Sequence, residues 1–334
     1  MLSKIYRYLY ERRRRVKSRP YGYLYLPNYN TKSKIMDNTS NLYNEHGERL
    51  HEFFIRDKHL RSYPYRVSRY FHFDRYNLQL KTHFYSHESM LETQGTPDRK
   101  FGFLIESPTV VPKSYRLFDT FKGLEKDFDL IFTYSDYLLN KLDNARFTPF
   151  CATLYNSEFA PNDSYLKKDK DISILSSNKL MCELHKFRYD LAYKCKNEKL
   201  ADTFGTFDGG DLVSLTDTLL RYRYSICIEN NIEPYFFTER IICAFANQTI
   251  PIYLGATKIN EFFNPDGIIQ ITTKSDIKKV LKECTKENYE ARIPAILDNY
   301  ERCKKFTEPF DYMWENHLKD LNIPYQDSPK ILAR

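Results

Sequence analysis

Three charged residues that could do chemistry, Glu229, Glu239 and Arg240, flank one aromatic loop. An apolar run ends at Glu229, and Thr238 opens an amphipathic segment whose first turn carries Glu239 and Arg240. This order predicts a strand, a polar loop and a helix N-terminus. Backbone N–H groups and the positive end of a helix dipole favour anions at such a corner. We therefore predict a phosphate-binding corner, suited to a phosphorylated sugar donor.

The elements around this corner are predicted from short apolar runs that alternate with amphipathic segments. In the second half of the chain, strands are predicted at 172–175, 201–205, 224–228, 249–253 and 267–272, and helices at 184–193, 211–221 and 239–246. In the first half, strands are predicted at 69–80, 100–105 and 129–134. This alternation is typical of parallel, doubly wound α/β sheets, which bind ligands beyond the carboxyl ends of their strands.

The length of 334 residues favours two domains over one ordinary core. We predict a basic, aromatic N-terminal extension over 1–65, a first α/β domain over 66–160, a second α/β domain over 161–272, and a helical C-terminal segment over 273–334. These two α/β domains are expected to be Rossmann-like and to face a central cleft.

The formal charge of +7 is concentrated in part at Arg12–Arg15. Such an arm binds nucleic acid or anionic lipid, or is simply a solvated helix end. A basic protein that binds nucleic acid or a membrane through this arm is therefore a less favoured alternative function. We expect no nucleic-acid partner, because the basic residues are concentrated in one arm and are not interleaved through an aromatic groove. The sequence contains no apolar run long enough to span a bilayer, and its first residues lack the apolar h-region expected of a signal peptide. We therefore expect a cytoplasmic protein, with peripheral contact to the inner face of a membrane as an open alternative.

The segment EN-x8-ER-x9-IPIYLGA, which starts at Glu229, resembles the C-terminal signature of family 10 glycosyltransferases, the fucosyltransferases. The resemblance is most specific over 224–255 and extends from about Asp74 to Thr272. It implies inverting transfer of L-fucose from GDP-β-L-fucose to a hydroxyl of an oligosaccharide or glycoconjugate, with an α-1,3 linkage expected. It also implies the GT-B type of α/β fold, in which 66–160 is the acceptor-side domain and 161–272 is the donor-binding domain.

Three positions depart from the family pattern, and the first is Asn231, which replaces the serine often found after Glu-Asn. Arg240 stands where the family carries lysine, and a flat guanidinium contacts phosphate differently from a compact ammonium. Phe236 stands where several members carry tyrosine, so that the neighbouring Tyr235 is the candidate to supply the hydroxyl. These departures leave open a second hypothesis, in which the same scaffold uses a different nucleotide-sugar donor.

Glu106 is the candidate catalytic base. It ends the apolar run FGFLIE and matches the glutamate of the Glu-Ser-Pro-like segment, which the family is taken to use as general base. An apolar setting would raise the pKa of its carboxyl towards neutrality, as a base requires. The alternative is an ordinary glutamate at the end of a strand, turned outwards by Pro108.

The candidate donor-binding residues lie in the second half of the chain. The resemblance assigns the diphosphate to Arg188 and Arg240. His185 lies one turn before Arg188 on the same helix face and is either part of this site or a packing histidine. Glu239 is expected to accept hydrogen bonds from ribose or sugar, and Glu229 either orients the corner or touches the sugar. The full predicted set is Arg188, Ser177, Asn178, Glu229, Asn230, Tyr235, Phe236, Thr238, Glu239 and Arg240.

Some of these residues have specific structural predictions. Thr238 is expected to be an N-cap, and Ser177 and Asn178 are expected to cap the helix that carries Arg188. Gly255 is expected to allow close backbone approach, and Tyr253 to pack rather than to touch a ligand.

No cofactor and no obligatory metal are expected. The seven cysteines contain no C-x-x-C pair and are predicted to be reduced, and the eight histidines form no paired metal-binding motif. Asp169 and Asp171 form the one obvious D-x-D, but they precede a strand and so fall at the wrong edge of the sheet.

Overall fold

The structure is a computed structural model that describes residues 42–44, 46–57, 68–74, 77–149 and 159–325. The basic run Arg12–Arg15 lies outside the described residues. Within these ranges, no helix combines the length and apolar character needed to cross a bilayer.

The first sheet has six parallel strands in the order β2-β1-β3-β4-β5-β6. The strands are β1 (His51–Arg56), β2 (Phe71–Asp74), β3 (Thr82–Ser86), β4 (Arg99–Leu104), β5 (Leu130–Thr133) and β6 (Ala145–Phe147). Helices α1 (Pro112–Tyr115), α2 (Leu117–Thr120) and α3 (Asp136–Lys141) follow β4 and β5. Alternate residues of β1, β3, β4 and β5 enter two separate apolar clusters, so the centre of the sheet is buried on both faces, as expected for parallel strands.

The second sheet has five parallel strands in the order β11-β10-β9-β7-β8. The strands are β7 (Lys170–Leu175), β8 (Asp202–Phe204), β9 (Tyr222–Ile228), β10 (Ile250–Leu254) and β11 (Ile269–Gln270). Helix α4 (Glu183–Glu198) connects β7 to β8, and α5 (Glu239–Ala246) connects β9 to β10. The loops that leave β7 and β9 therefore open at the same edge of the sheet.

The C-terminal part of the described chain is helical, as predicted. Its helices are α6 (Ile277–Lys282), α7 (Lys286–Ala291), α8 (Ile293–Cys303) and α9 (Pro309–Met313). The segment around α9 returns to the first sheet, where Phe310, Met313 and Leu318 join the apolar cluster of β1 and β4. The two parallel α/β sheets and the helical C-terminal segment confirm the predicted fold class.

The first sheet begins earlier than the predicted boundary at residue 66. Strand β1 lies within 1–65 and pairs with both β2 and β3, so it is an integral strand and not part of an extension. Its sequence HEFFIR mixes charged and apolar residues, although all six residues are buried. A strand whose charged side chains are buried gives no clear hydrophobic pattern, and for this reason the sequence did not predict it.

The helix predicted over 211–221 is wrong. Only a short 3-10 turn, Thr216–Thr218, forms there, and Leu212 is 91% exposed. Thr218 Oγ1 donates a hydrogen bond of 2.7 Å to the backbone carbonyl of Leu215. Serine, threonine and aspartate side chains compete in this way for the backbone groups of a helix, which favours turns.

Candidate active site

Glu106 directly follows the end of β4 and Ile105, at the carboxyl edge of the first sheet. Its backbone carbonyl accepts hydrogen bonds from the hydroxyls of Tyr115 (2.6 Å) and Tyr134 (3.4 Å), both of which are buried. One carboxylate oxygen, Oε1, accepts a hydrogen bond of 2.7 Å from the backbone N–H of Ser107. The main chain of Glu106 is thus fixed, while its side chain is only partly buried.

The electrostatic setting of Glu106 suits a proton acceptor. Burial raises the pKa of its carboxyl, and the negative charge of Glu239 acts in the same direction. The Ser107 N–H, the Asn230 amide and the charge of Lys179 act in the opposite direction. A carboxylate with a raised pKa is a stronger base than a free glutamate.

Glu229 follows β9 and is almost completely buried, at 1% exposure. Its carboxylate accepts hydrogen bonds from the backbone N–H of Thr238 (2.9 Å) and from Thr238 Oγ1 (2.7 Å), and the Tyr253 hydroxyl lies 3.5 Å away. Burial, followed by the charge of Glu239, raises the pKa of Glu229 to about 7. Because its oxygens are engaged by the protein, these contacts fit the first of its two predicted roles, orientation of the corner.

Thr238 is the N-cap of α5, as predicted. Its Oγ1 accepts a hydrogen bond from the backbone N–H of Arg240 while it donates to Glu229. The Glu229 carboxylate therefore fixes the residue from which α5 starts. Because Glu239 and Arg240 occupy the first turn of α5, this contact fixes the backbone from which their side chains extend.

Gly255 allows the close approach predicted from the sequence. A Cβ at this position would lie 2.4 Å from the Tyr253 hydroxyl and 2.5 Å from Glu229 Cγ. Tyr253 is buried, and its hydroxyl accepts a hydrogen bond of 3.0 Å from the backbone N–H of Ala256. It therefore packs beneath the corner, as expected.

Arg188 of α4 is 2% exposed, and its Nη1 donates a hydrogen bond of 2.6 Å to the carbonyl of Ile228. Among the described residues, its Nε has no hydrogen-bond partner. Burial and then the charge of Arg240 lower its pKa to about 9, while Glu229 and Glu239 act in the opposite direction. The positive charges of Arg188 and Arg240 repel each other, and burial makes this repulsion stronger. An anion bound near both guanidinium groups would offset the repulsion.

His185, one turn before Arg188, is buried, and burial lowers its pKa to about 4. The charges of Arg188, Arg240 and Lys179 act in the same direction. The imidazole is therefore neutral at physiological pH and adds no charge to this cationic site.

Ser177 and Asn178 do not cap α4, contrary to the prediction. The helix begins at Glu183 with Cys182 as the N-cap, and that cap makes no side-chain hydrogen bond. Ser177 Oγ instead accepts from the Lys179 N–H (3.4 Å), and the Asn178 N–H donates to Thr206 Oγ1 (3.3 Å). Both residues stay at the carboxyl edge of β7, where their donor contact remains a prediction.

Phe236 is not a donor-facing residue. It is fully buried in the apolar cluster of the first sheet, with its ring 4.8 Å from that of Tyr134. It could not contact a ligand unless this core opened. The neighbouring Tyr235 is partly buried, and its hydroxyl accepts a hydrogen bond of 2.9 Å from Lys258 Nζ.

Asn230 brings the two halves together. Its side-chain Nδ2 lies 3.5 Å from Glu106 Oε1, and its backbone carbonyl accepts hydrogen bonds from Thr109 Oγ1 and Cys182 Sγ. The sequence analysis did not identify Thr109 or Cys182, because short polar residues in loops carry no pattern of their own. The contact places Glu106 of the first sheet beside the corner of the second sheet.

Asp169 and Asp171 lie at the amino edge of β7, as predicted, and pair with Arg221 and Arg223. In the part of the chain that the structure describes, no group of three His, Cys, Asp or Glu side chains is arranged to hold a metal ion.

Residues 155–293 match the model of the family described as glycosyltransferase family 10 (fucosyltransferase), C-terminal region. The chain is 32% identical over 63 residues to an alpha-(1,3)-fucosyltransferase of Helicobacter pylori, which is 19% of this chain and 13% of that protein. It is 24% identical over 229 residues to the 4-galactosyl-N-acetylglucosaminide 3-alpha-L-fucosyltransferase 9 of Rattus norvegicus, which is 64% of this chain and 55% of that protein. The predicted resemblance to family 10 is thus confirmed, although the chain spans little more than half the length of the second relative and far less of the first.

Solved structures are also similar. A crystal structure of an alpha1,3-fucosyltransferase with GDP aligns over 86% of this chain and 96% of its own, with a TM-score of 0.48 and 15% identity. The crystal structure of TarM aligns over 72% of this chain and 55% of its own, with a TM-score of 0.48 and 12% identity.

Proposed function

Starting from the match of residues 155–293 to the family 10 C-terminal region, we propose that this chain is an inverting glycosyltransferase. It would transfer L-fucose from GDP-β-L-fucose to a glycan hydroxyl and form an α-linked product, expected to be α-1,3. The observation that carries the proposal is the contact between the loops of the two sheets, where Asn230 lies 3.5 Å from Glu106. A proton acceptor and a cationic corner thereby share one junction.

In the proposed reaction, Glu106 takes the proton of the acceptor hydroxyl as that oxygen attacks C1 of the fucosyl group. The bond between C1 and the β-phosphate oxygen breaks, and GDP leaves with the electron pair. A positioned base of this kind typically contributes about 10²- to 10⁴-fold to the rate. Attack opposite the leaving group converts the β-linked donor into an α-linked product.

The leaving diphosphate would be received by Arg188, Arg240 and the first turn of α5. The charge of Arg240 already lowers the pKa of Arg188, so an anion between them would relieve their repulsion. A helix N-terminus adds further favourable potential for the anion. These groups support transfer without a divalent ion, and we propose that the reaction is metal-independent.

The decisive experiment is a transfer assay with GDP-fucose against a panel of other GDP and UDP sugars. We expect transfer from GDP-fucose, with activity retained after treatment with EDTA. If another sugar nucleotide is the preferred donor, the fucosyl assignment fails and the alternative donor hypothesis stands. Loss of activity with EDTA that a divalent ion restores would overturn metal independence.

The proposal also covers the acceptor and the cellular location of the protein. An oligosaccharide or glycoconjugate acceptor is inferred from the family, and the proposed cytoplasmic location, with Arg12–Arg15 at the inner face of a membrane, is inferred from the sequence alone. Removal of residues 1–20 should abolish vesicle binding and leave transfer to a soluble acceptor intact. If the deletion abolished transfer instead, the arm would be part of the catalytic unit.

A further inference from the structure

Asn230 is attached to loops from both sheets through one peptide group. Its backbone carbonyl accepts a hydrogen bond of 3.3 Å from Thr109 Oγ1, in the loop that follows β4. It also accepts a hydrogen bond of 3.2 Å from Cys182 Sγ, in the loop before α4. Two donors, one from each half of the chain, fix this carbonyl, and so the direction in which the side chain leaves the backbone is constrained.

The side chain of Asn230 is directed at the candidate base. Nδ2 lies 3.5 Å from Glu106 Oε1, the same oxygen that accepts the Ser107 N–H at 2.7 Å. Among the described residues, the buried Oδ1 of Asn230 has no hydrogen-bond partner. The neighbouring Asn231 behaves differently, because its Nδ2 donates a hydrogen bond of 3.1 Å to Glu233 Oε1.

We propose that Asn230 is a positioning residue for Glu106. The side-chain amide of Asn230 holds the Glu106 carboxylate in place to accept a proton, and the backbone carbonyl of Asn230 links the loops of the two sheets. This inference rests on the proposed function, in which Glu106 is the base. It differs from the role predicted from the sequence, which was a contact to the donor. An N–H donor beside a carboxylate stabilises its charged form, which is the form that a base needs.

The groups that face Glu106 come from several elements. The Ser107 N–H belongs to its own loop, Lys179 to the loop after β7, Asn230 to the loop after β9 and Glu239 to α5. Glu239 favours the protonated form of Glu106, and the other three favour the charged form. Removal of the Asn230 amide therefore shifts the balance towards the protonated, inactive carboxyl.

The test is a titration of Glu106 by ¹³C NMR in protein labelled at the glutamate carboxyl carbons, with the Glu106 signal identified by its loss in Glu106→Gln. Asn230→Ala should raise the pKa of Glu106 by about half a unit to one unit, the size expected for one hydrogen bond. Asn230→Asp keeps the size of the side chain but adds a negative charge, and it should raise the pKa further. Asn231→Ala is the matched control and should leave the titration unchanged.

The same variants are then assayed for transfer across pH. In Asn230→Ala, the acidic limb of kcat/KM should move to higher pH by the same amount, and GDP affinity should change less than twofold. An unchanged Glu106 titration in both Asn230 variants, with weakened GDP binding, would overturn the inference and return Asn230 to the donor site. If the Glu106 titration shifts in Asn230→Ala but the wild type transfers no fucose, the proposed function is wrong and the positioning role of Asn230 stands.

Discussion

Glu106 and Glu229 have the same sequence signature, a glutamate directly after an apolar strand, but different surroundings. Both lie at the carboxyl edge of a parallel sheet, and burial raises the pKa of each. The carboxylate of Glu229 receives two hydrogen bonds from Thr238 and is 1% exposed, whereas Glu106 is partly buried and receives one short hydrogen bond from a backbone N–H. The pKa of each carboxyl is raised, so the direction of the shift does not separate the proposed base from the carboxylate that orients the corner; the exposure and the hydrogen-bond partners do.

The comparison is tested most strongly by the same substitution at both positions. Glu106→Gln removes the proton acceptor and should lower kcat by about 10²- to 10⁴-fold, with GDP affinity retained. Glu229→Gln keeps an oxygen and an N–H for Thr238 and should lower kcat no more than about tenfold. Steady-state kinetics and GDP titrations on both variants check this. Equal losses of kcat would remove the distinction between the two carboxylates.

The second effect concerns stability. The pKa of Glu229 is raised from 4.5 to about 7 in the folded protein, so the folded state holds a proton that the unfolded state releases. Its contribution to stability is complete below pH 4.5 and is lost as the pH rises through about 7. The loss is of the order of 3 kcal/mol.

Urea unfolding of the wild type and of Glu229→Gln between pH 4.5 and 8 measures this difference. The free energy of unfolding of the wild type should fall relative to the variant as the pH rises. Parallel profiles would mean that Glu229 titrates as an exposed glutamate does, contrary to its burial and to the nearby charge of Glu239.

A smaller effect is expected at the cationic side of the junction. Arg240→Met should weaken GDP binding by roughly 10- to 100-fold, because it removes a charge-assisted contact to phosphate. Arg221→Met is a suitable control, since Arg221 pairs with Asp169 at the opposite edge of the sheet. Calorimetry with GDP would detect the loss, and equal affinities of the two variants would exclude Arg240 from the diphosphate site.

The smallest effect is expected beneath Glu106. Tyr115→Phe removes the hydrogen bond of 2.6 Å to the Glu106 carbonyl but leaves that of Tyr134, so kcat should fall about threefold to tenfold. Tyr137→Phe is the control, because the hydroxyl of this exposed tyrosine bonds to Asp119. An unchanged kcat in Tyr115→Phe would show that the second tyrosine alone suffices to hold the base.

Local signals made part of the site predictable. The N-cap at Thr238 and the close approach at Gly255 follow from residue type and position, and both are present in the structure. The roles of Glu229 and Phe236 depend on tertiary partners instead. Glu229 is engaged by a residue across the loop, and Phe236 enters the core of the other half beside Tyr134, which a pattern along the chain does not encode.

The fold was predictable wherever apolar runs were continuous, as in β4, β9 and β10. Strand β1 was not predicted, because its buried charged residues hide the apolar ones. The helix expected over 211–221 was predicted from apolar residues whose threonine and aspartate neighbours favour a turn. In β1, tertiary burial of charged residues outweighs the hydrophobic pattern. Over 211–221, hydrogen bonding of a threonine side chain to the backbone does so.

The most direct test of the account is a crystal structure of this chain with GDP bound. The diphosphate should lie within hydrogen-bond distance of Arg188 or Arg240 and of the first turn of α5, with the carboxylate of Glu106 across the same junction. A diphosphate bound elsewhere, or a GDP complex in which Glu106 faces away from it, would contradict the account.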